Sequence, residues 1–369
     1  MAASSDIHTS ALLPTLSEAG GVTGDYHGRT LVRHFGDPAG EYAAATDGAA
    51  VFDRSHRTRL VVKGKAPGQM LNGILTGTLP TGPERLGDEV MAGRGTYHTV
   101  LTPKGKMLAD LWAYLAGEEE EDGFLLDVPV AARTHLLEHF RKFLPPRFAA
   151  VEDASERTSM IMVSGPEAAA LLSRTALGLR VEAEDLSALE EGEWRAAGSS
   201  MRDALTVVRT ADVWPEAYNV IGPSGAVVAL WKALAAAGAV PAGLGVWQTL
   251  RVEAGRPAYG TDMDDGTIPV EAGIHDRAID YQKGCYTGQE VIVRIRDRGK
   301  VNRTLRQIRL GDVPTPAKGT ELFVREADGG RGERAVGWVT SAVQSPKFGG
   351  TVALGYVRSE VDEKDVVLG

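Results

Sequence analysis

The most reactive set of side chains in this 369-residue chain lies in Lys283-Gly284-Cys285-Tyr286-Thr287-Gly288-Gln289-Glu290, which holds the sole cysteine. A thiol is nucleophilic as its thiolate, and a nearby ammonium favours that form. In an extended chain residues two apart share a face, so Lys283 and Cys285 are expected to point the same way, with Lys283 priming the thiol. Gly284 and Gly288 would permit a sharp turn or a close approach to a ligand. The plainer alternative is that Cys285 packs as a small buried hydrophobe.

A second stretch is Leu250-Arg251-Val252-Glu253-Ala254-Gly255-Arg256-Pro257. Val246, Trp247, Leu250 and Ala254 recur at helical spacing, and Gly255 and Pro257 stop the helix. Glu253 therefore falls in its last turn, where a carboxylate opposes the helix dipole. It is either an exposed helix-end glutamate or an acceptor of two parallel N–H bonds from a flat, donor-rich ligand. Asp110, in Gly105-Lys106-Met107-Leu108-Ala109-Asp110-Leu111, is a carboxylate among apolar strand residues; it faces outward or has a partner or a task. Arg294, Arg296, Arg298 and Lys300 alternate with Val293 and Ile295. As a strand, that segment would carry its cations on one face, either as a charged edge or as a stripe for an anionic tail or a partner protein. His135-Leu136-Leu137-Glu138-His139 has the H-x-x-E-H zinc spacing, but both histidines lie at the polar edge of an apolar stripe, and no metal site is expected.

These residues need a scaffold, and the chain is long enough for two or three domains. Hydrophobic residues make up 43% and charged residues 24%, an ordinary globular mixture. A net charge of -9 argues against indiscriminate nucleic-acid binding. One cysteine closes no internal disulfide and cannot alone hold an iron–sulfur cluster. No secretory signal or membrane-length apolar run is read, so a cytoplasmic location and no membrane partner are expected.

Residues 1–25 read as a mobile leader, with Ala, Ser and Thr dominating the first 20. Ala49 to Ser55 reads as a short apolar segment entering a turn. A strand–glycine–helix unit recurs from Arg59, from Met160 (Ser164 as helix cap) and from Tyr218, alternating with hairpins such as His98–Leu101 with Met107–Leu115. Such mixed units predict an α+β fold. After Asn302, short strands separated by Gly- and Pro-rich turns predict a small β-barrel.

The string from Lys283 to Glu290 resembles the K-G-C-Y-x-G-Q-E signature of the YgfZ family, folate-binding relatives of the glycine-cleavage T-protein implicated in maintaining iron–sulfur enzymes. Arg251 to Pro257 resembles the R-x-E-A-G-x-P motif of both families, and Gly337 to Val357 resembles their C-terminal barrel. The resemblance implies two interleaved subdomains over 26–300, a barrel over 301–369, and bound tetrahydrofolate or a one-carbon derivative. It implies Glu253 as the pterin anchor, with Arg251, Tyr286 and Gln289 also at the cofactor, and Cys285, Lys283 and Asp110 at the reacting end. It further implies a monomer that supports iron–sulfur cluster assembly or repair, and through it enzymes such as tRNA-modifying ones, with client or assembly proteins as partners. The T-protein counterpart of Asp110 is an Asp-Asp pair, and Ala109 replaces its first member. The alternatives are a T-protein-type aminomethyltransferase and a non-catalytic folate-responsive scaffold.

Overall fold

The computed structural model describes residues 10–86, 90–175, 180–197, 203–326 and 330–369. The chain divides into two compact units interleaved in sequence. The first comprises the chain up to Asn72, Leu79–Tyr97 and Leu111–Trp247; the second comprises Gly73–Thr78, His98–Asp110 and Gln248–Gly369.

The first unit is built on an eight-stranded sheet. Its order is Val240–Ala242, Ala50–Asp53, Thr158–Ser164, Ala217–Pro223, Thr206–Thr210, Glu193–Ala196, Val90–Arg94 and Glu84–Leu86. Neighbours are antiparallel except the pair Val240–Ala242 with Ala50–Asp53. Met160, Ile161, Met162 and Val163 are each fully buried, the uninterrupted apolar run of a strand covered on both faces. The helix Ser224–Ala236 closes this core with Val227, Leu230, Trp231 and Leu234, the i, i+3, i+4, i+7 stripe legible in the sequence. A five-stranded sheet has the order Ala150–Asp153, Arg57–Lys63, Phe124–Pro129, Met107–Leu115 and Thr96–Leu101. Within its last two strands the chain passes from one unit to the other.

The second unit ends in the expected small β-barrel, strand order Arg303–Gly311, Gly350–Arg358, Arg331–Ser345, Glu321–Arg325 and Val366–Leu368, all antiparallel. Ile308, Leu322, Val339, Ala353, Val357 and Val366 form its core. Val252, at the end of the helix Leu244–Glu253, packs on Val352 and Leu354 of the barrel. The barrel shares a compact unit with everything from Gln248 onward. Among the described residues, no helix is long and apolar enough to cross a membrane.

Three expectations need correction. The leader reading of 1–25 fails from Ser10 onward: Leu13–Glu18 is a helix, Val22–Tyr26 is a strand, and Leu12 and Leu16 are buried in the first unit's core. Residues 1–9 lie outside the described residues. The basic segment near Arg294 is not a strand but part of the helix Gln289–Arg298. Ile292 is buried with Val291 and Ile295 half-buried, a helical spacing that the alternation of arginines masked. Ser164 ends its strand rather than capping a helix; the helix starts at Ala168.

Candidate functional site

The loop carrying Cys285 runs from the helix His275–Ala278 to the helix Gln289–Arg298. It is held to the segment Gly73–Thr78 by Asp280 N–H to Thr76 O at 3.1 Å and Thr287 N–H to Gly73 O at 3.1 Å. Gly288 has φ +83°, and a Cβ there would sit 2.6 Å from Thr102 O. Glycine is required at this position both by its left-handed backbone and by the close approach of the hairpin turn. Gly284 has no neighbour within 4 Å of a built Cβ, so the two motif glycines are not equivalent.

Lys283 is engaged by backbone carbonyls of the 73–78 segment. Its Nζ donates to Leu75 O and to Gly77 O, both at 2.8 Å, and lies 5.8 Å from the centroid of the Tyr286 ring. Burial lowers its pKa to about 8, against an opposing pull from Asp280. Buried His98 accepts from Gly77 N–H at 3.0 Å through Nδ1. Burial first, then the Lys283 charge, pushes His98 down to about 3, so it is neutral. Lys283 is therefore an ammonium hook that fixes the loop to the 73–78 segment. Cys285 is exposed, which excludes the buried-packing alternative.

Tyr286 is the inward-facing member of the loop, 7% exposed. Its hydroxyl has no hydrogen-bond partner among the described residues. Burial raises its pKa to about 12, so it stays protonated and able to donate. A buried hydroxyl in this state suits a polar ligand atom. Gln289 is half-buried at the start of the next helix, and Glu290 is exposed.

Asp110 is 5% exposed in the strand Met107–Leu115, beside fully buried Ala109. Burial and the Asp110 charge, in that order, raise the pKa of Tyr259. The pair thus combines a carboxylate with a protonated phenol.

Arg251 and Glu253 face the barrel. Arg251 is 1% exposed and gives Nε to Gln248 at 2.7 Å, Nη1 to Asp262 at 2.7 Å and to Arg256 O at 3.1 Å, and Nη2 to Ser341 at 2.8 Å. Glu253 is 4% exposed and accepts from Ser345 Oγ through Oε1. The Gln307 amide caps the helix end, donating to Val252 O at 2.6 Å and Glu253 O at 3.0 Å. Both motif residues thus pin the helix to the barrel, and Glu253 is not the exposed helix-end glutamate considered from sequence. Among the described residues no group of His, Cys, Asp and Glu is placed to hold a metal ion, the His135–His139 pair included.

One strong candidate was missed. In the first unit, Arg54 is 1% exposed, donates Nη2 to Asp212 at 3.1 Å, and stacks 5.0 Å from the Trp247 ring. Its Nε and Nη1 have no partner among the described residues. The His56 ring lies 4.4 Å from the same Trp247. The available signal was an arginine two residues after the apolar run Ala49–Phe52, where charge enters a core segment.

The chain matches the family model described as GCVT N-terminal domain over residues 12–283, and the glycine cleavage T-protein C-terminal barrel domain over residues 303–367. It is 31% identical to an aminomethyltransferase of Rubrobacter xylanophilus, over 92% of this chain and 84% of that protein. It is 30% identical to an aminomethyltransferase of Thermosynechococcus vestitus, over 87% of this chain and 80% of that one. The crystal structure of the glycine cleavage system aminomethyltransferase T from Bartonella henselae superposes with a TM-score of 0.81 at 21% identity, covering 98% of this chain and 94% of that chain, a likeness of fold.

Proposed function

The chain belongs to the glycine cleavage T-protein family, and from that premise we propose that it binds a reduced folate and acts on the one-carbon unit the folate carries, in the manner of the relatives named aminomethyltransferase. The observation that carries this reading is the family match over both the N-terminal domain and the barrel, joined to a buried carboxylate, Asp110, beside protonated Tyr259. A folate offers donors, acceptors and a flat ring; the Tyr286 hydroxyl is a buried group whose capacity fits such a ligand. Bound folate would supply the one-carbon carrier. Asp110 would stabilise positive charge at that carbon, and Tyr259 would orient it. Arg251 and Glu253 would act by holding the barrel rather than by touching the ligand. The test is a reconstituted glycine-cleavage assay: turnover that falls on Asp110→Ala and persists in Cys285→Ser supports the reading. No turnover by a folded, folate-bound chain would remove the transferase activity.

A second reading rests on one specific observation, the exposed thiol of Cys285 within a complete K-G-C-Y-T-G-Q-E string. In this reading the folate-bound protein supports iron–sulfur enzymes through Cys285. Loss of iron–sulfur enzyme activity in cells carrying only Cys285→Ser, with transferase turnover absent, would select it.

A further inference from the structure

The outer face of the β-barrel carries a cleft of about 660 Å³ that the folate reading does not use, a volume in the range of small-molecule sites. Strand register fixes what lines it. Arg303 lies directly opposite Arg358, Tyr356 opposite Trp338, and Trp338 opposite Glu321. Residues opposite each other or two apart share a face, so these five side chains stand on one side of the sheet. The other side holds the core residues Leu322, Val339 and Val357. Like charges directly opposite destabilise a strand pair, and the two guanidinium groups are only partly neutralised. Arg303 gives Nε to Glu271 at 3.2 Å and lies 4.9 and 5.1 Å from the ring centroids of Trp338 and Tyr356. Its Nη groups donate no hydrogen bond among the described residues, and neither does the Trp338 indole N–H. Arg358, 60% exposed on its side chain, has an ion pair with Glu360 at 3.9 Å, longer than a hydrogen bond. Glu321 is exposed and forms no ion pair among the described residues. A mixed-charge outer face is often only solvated. That accounts for Glu321 and Glu360, but not for opposed arginines with idle donors around an aromatic floor.

We propose that this cleft binds a free basic amino acid of the lysine type. Its carboxylate would bridge Arg303 and Arg358, its α-ammonium would face Glu360, its stem would lie along Trp338, and its distal ammonium would meet Glu321. Each of the four charged residues lining the cleft then faces an opposite charge. The two glutamates select against a simple anion such as phosphate. Glu321 and Arg358 belong to strands two apart, roughly 10 Å at the backbone, which selects a long cationic side chain over a short neutral one. The probe is L-lysine, titrated into the full chain by calorimetry. The expected result is saturable binding at one site, weakened by about tenfold or more for Nε-acetyl-lysine and for lysinamide. Glu321→Gln should abolish the preference for lysine over Nε-acetyl-lysine, and Arg358→Gln the preference for lysine over lysinamide, each leaving the other preference in place. Both positions are exposed, so the variants should keep the wild-type melting temperature. A purely structural role for these residues would move neither ratio. No saturable binding of lysine, equal binding of the three compounds, or preferences that survive both substitutions would overturn the proposal. So would displacement of lysine by inorganic phosphate, which would make the cleft an anion site, or by tetrahydrofolate, which would make it part of the folate site.

Discussion

An ammonium that donates to two backbone carbonyls is committed to structure, and that is the state of Lys283. Two predictions belong to this loop. The first concerns stability against pH. The folded pKa of Lys283, about 8, lies below its ordinary 10.5, so between these values the unfolded chain binds more protons. Stability then rises with pH across that window. Denaturant titrations should show wild type gaining stability from about pH 8 to 10.5 relative to Lys283→Met; parallel profiles would mean that burial does not depress the ammonium. The second concerns the thiol. Cys285 is exposed, so it should be alkylated stoichiometrically in the native protein without denaturant. A thiol that reacts only after unfolding would contradict that exposure. The sequence displayed the chemistry of this loop, since a thiol, an ammonium and a phenol sit within four residues. The direction of Lys283 was not legible, because its acceptors lie more than 200 residues earlier in the chain.

At the scale of elements, the loop depends on its glycine and the barrel junction on its ion pair. Gly288→Ala puts a side chain into left-handed backbone and against Thr102 O. It should cost about 2 kcal/mol or more in urea unfolding, whereas Gly284→Ala should be close to neutral. Arg251→Met should cost about 3–5 kcal/mol, because it leaves Asp262, fully buried on its side chain, without its guanidinium. An Arg251→Met protein of wild-type stability that loses folate affinity would instead make Arg251 a ligand contact. Helical stripes such as Val227 to Leu234 were readable because burial on one side imposes a period. The helix Gln289–Arg298 was misread because its cations recur at a strand's period while its shorter apolar pattern carries the helix. The helix Leu13–Glu18 was hidden by a bland composition in which only Leu12 and Leu16 bury deeply.

At the scale of the whole molecule, the α+β class and the terminal barrel were legible from the change in texture after Asn302. The interleaving itself came from family resemblance, since no local pattern announces that Gly73–Thr78 and His98–Asp110 join a unit whose bulk starts at Gln248. The candidate site was legible in part for the same reason. Cys285, Tyr286 and Asp110 stood out by type, whereas Ser341 and Ser345, the barrel partners of Arg251 and Glu253, lie about 90 residues away. The central claim is that this chain binds a reduced folate, and calorimetric titration with tetrahydrofolate under anaerobic conditions tests it most directly. The account predicts saturable binding of one folate per chain, weakened by about tenfold in Tyr286→Phe through loss of one buried hydrogen bond, with the fold intact. A well-folded wild-type chain that takes up no tetrahydrofolate, or that binds it equally well without the Tyr286 hydroxyl, would contradict respectively the function and the site.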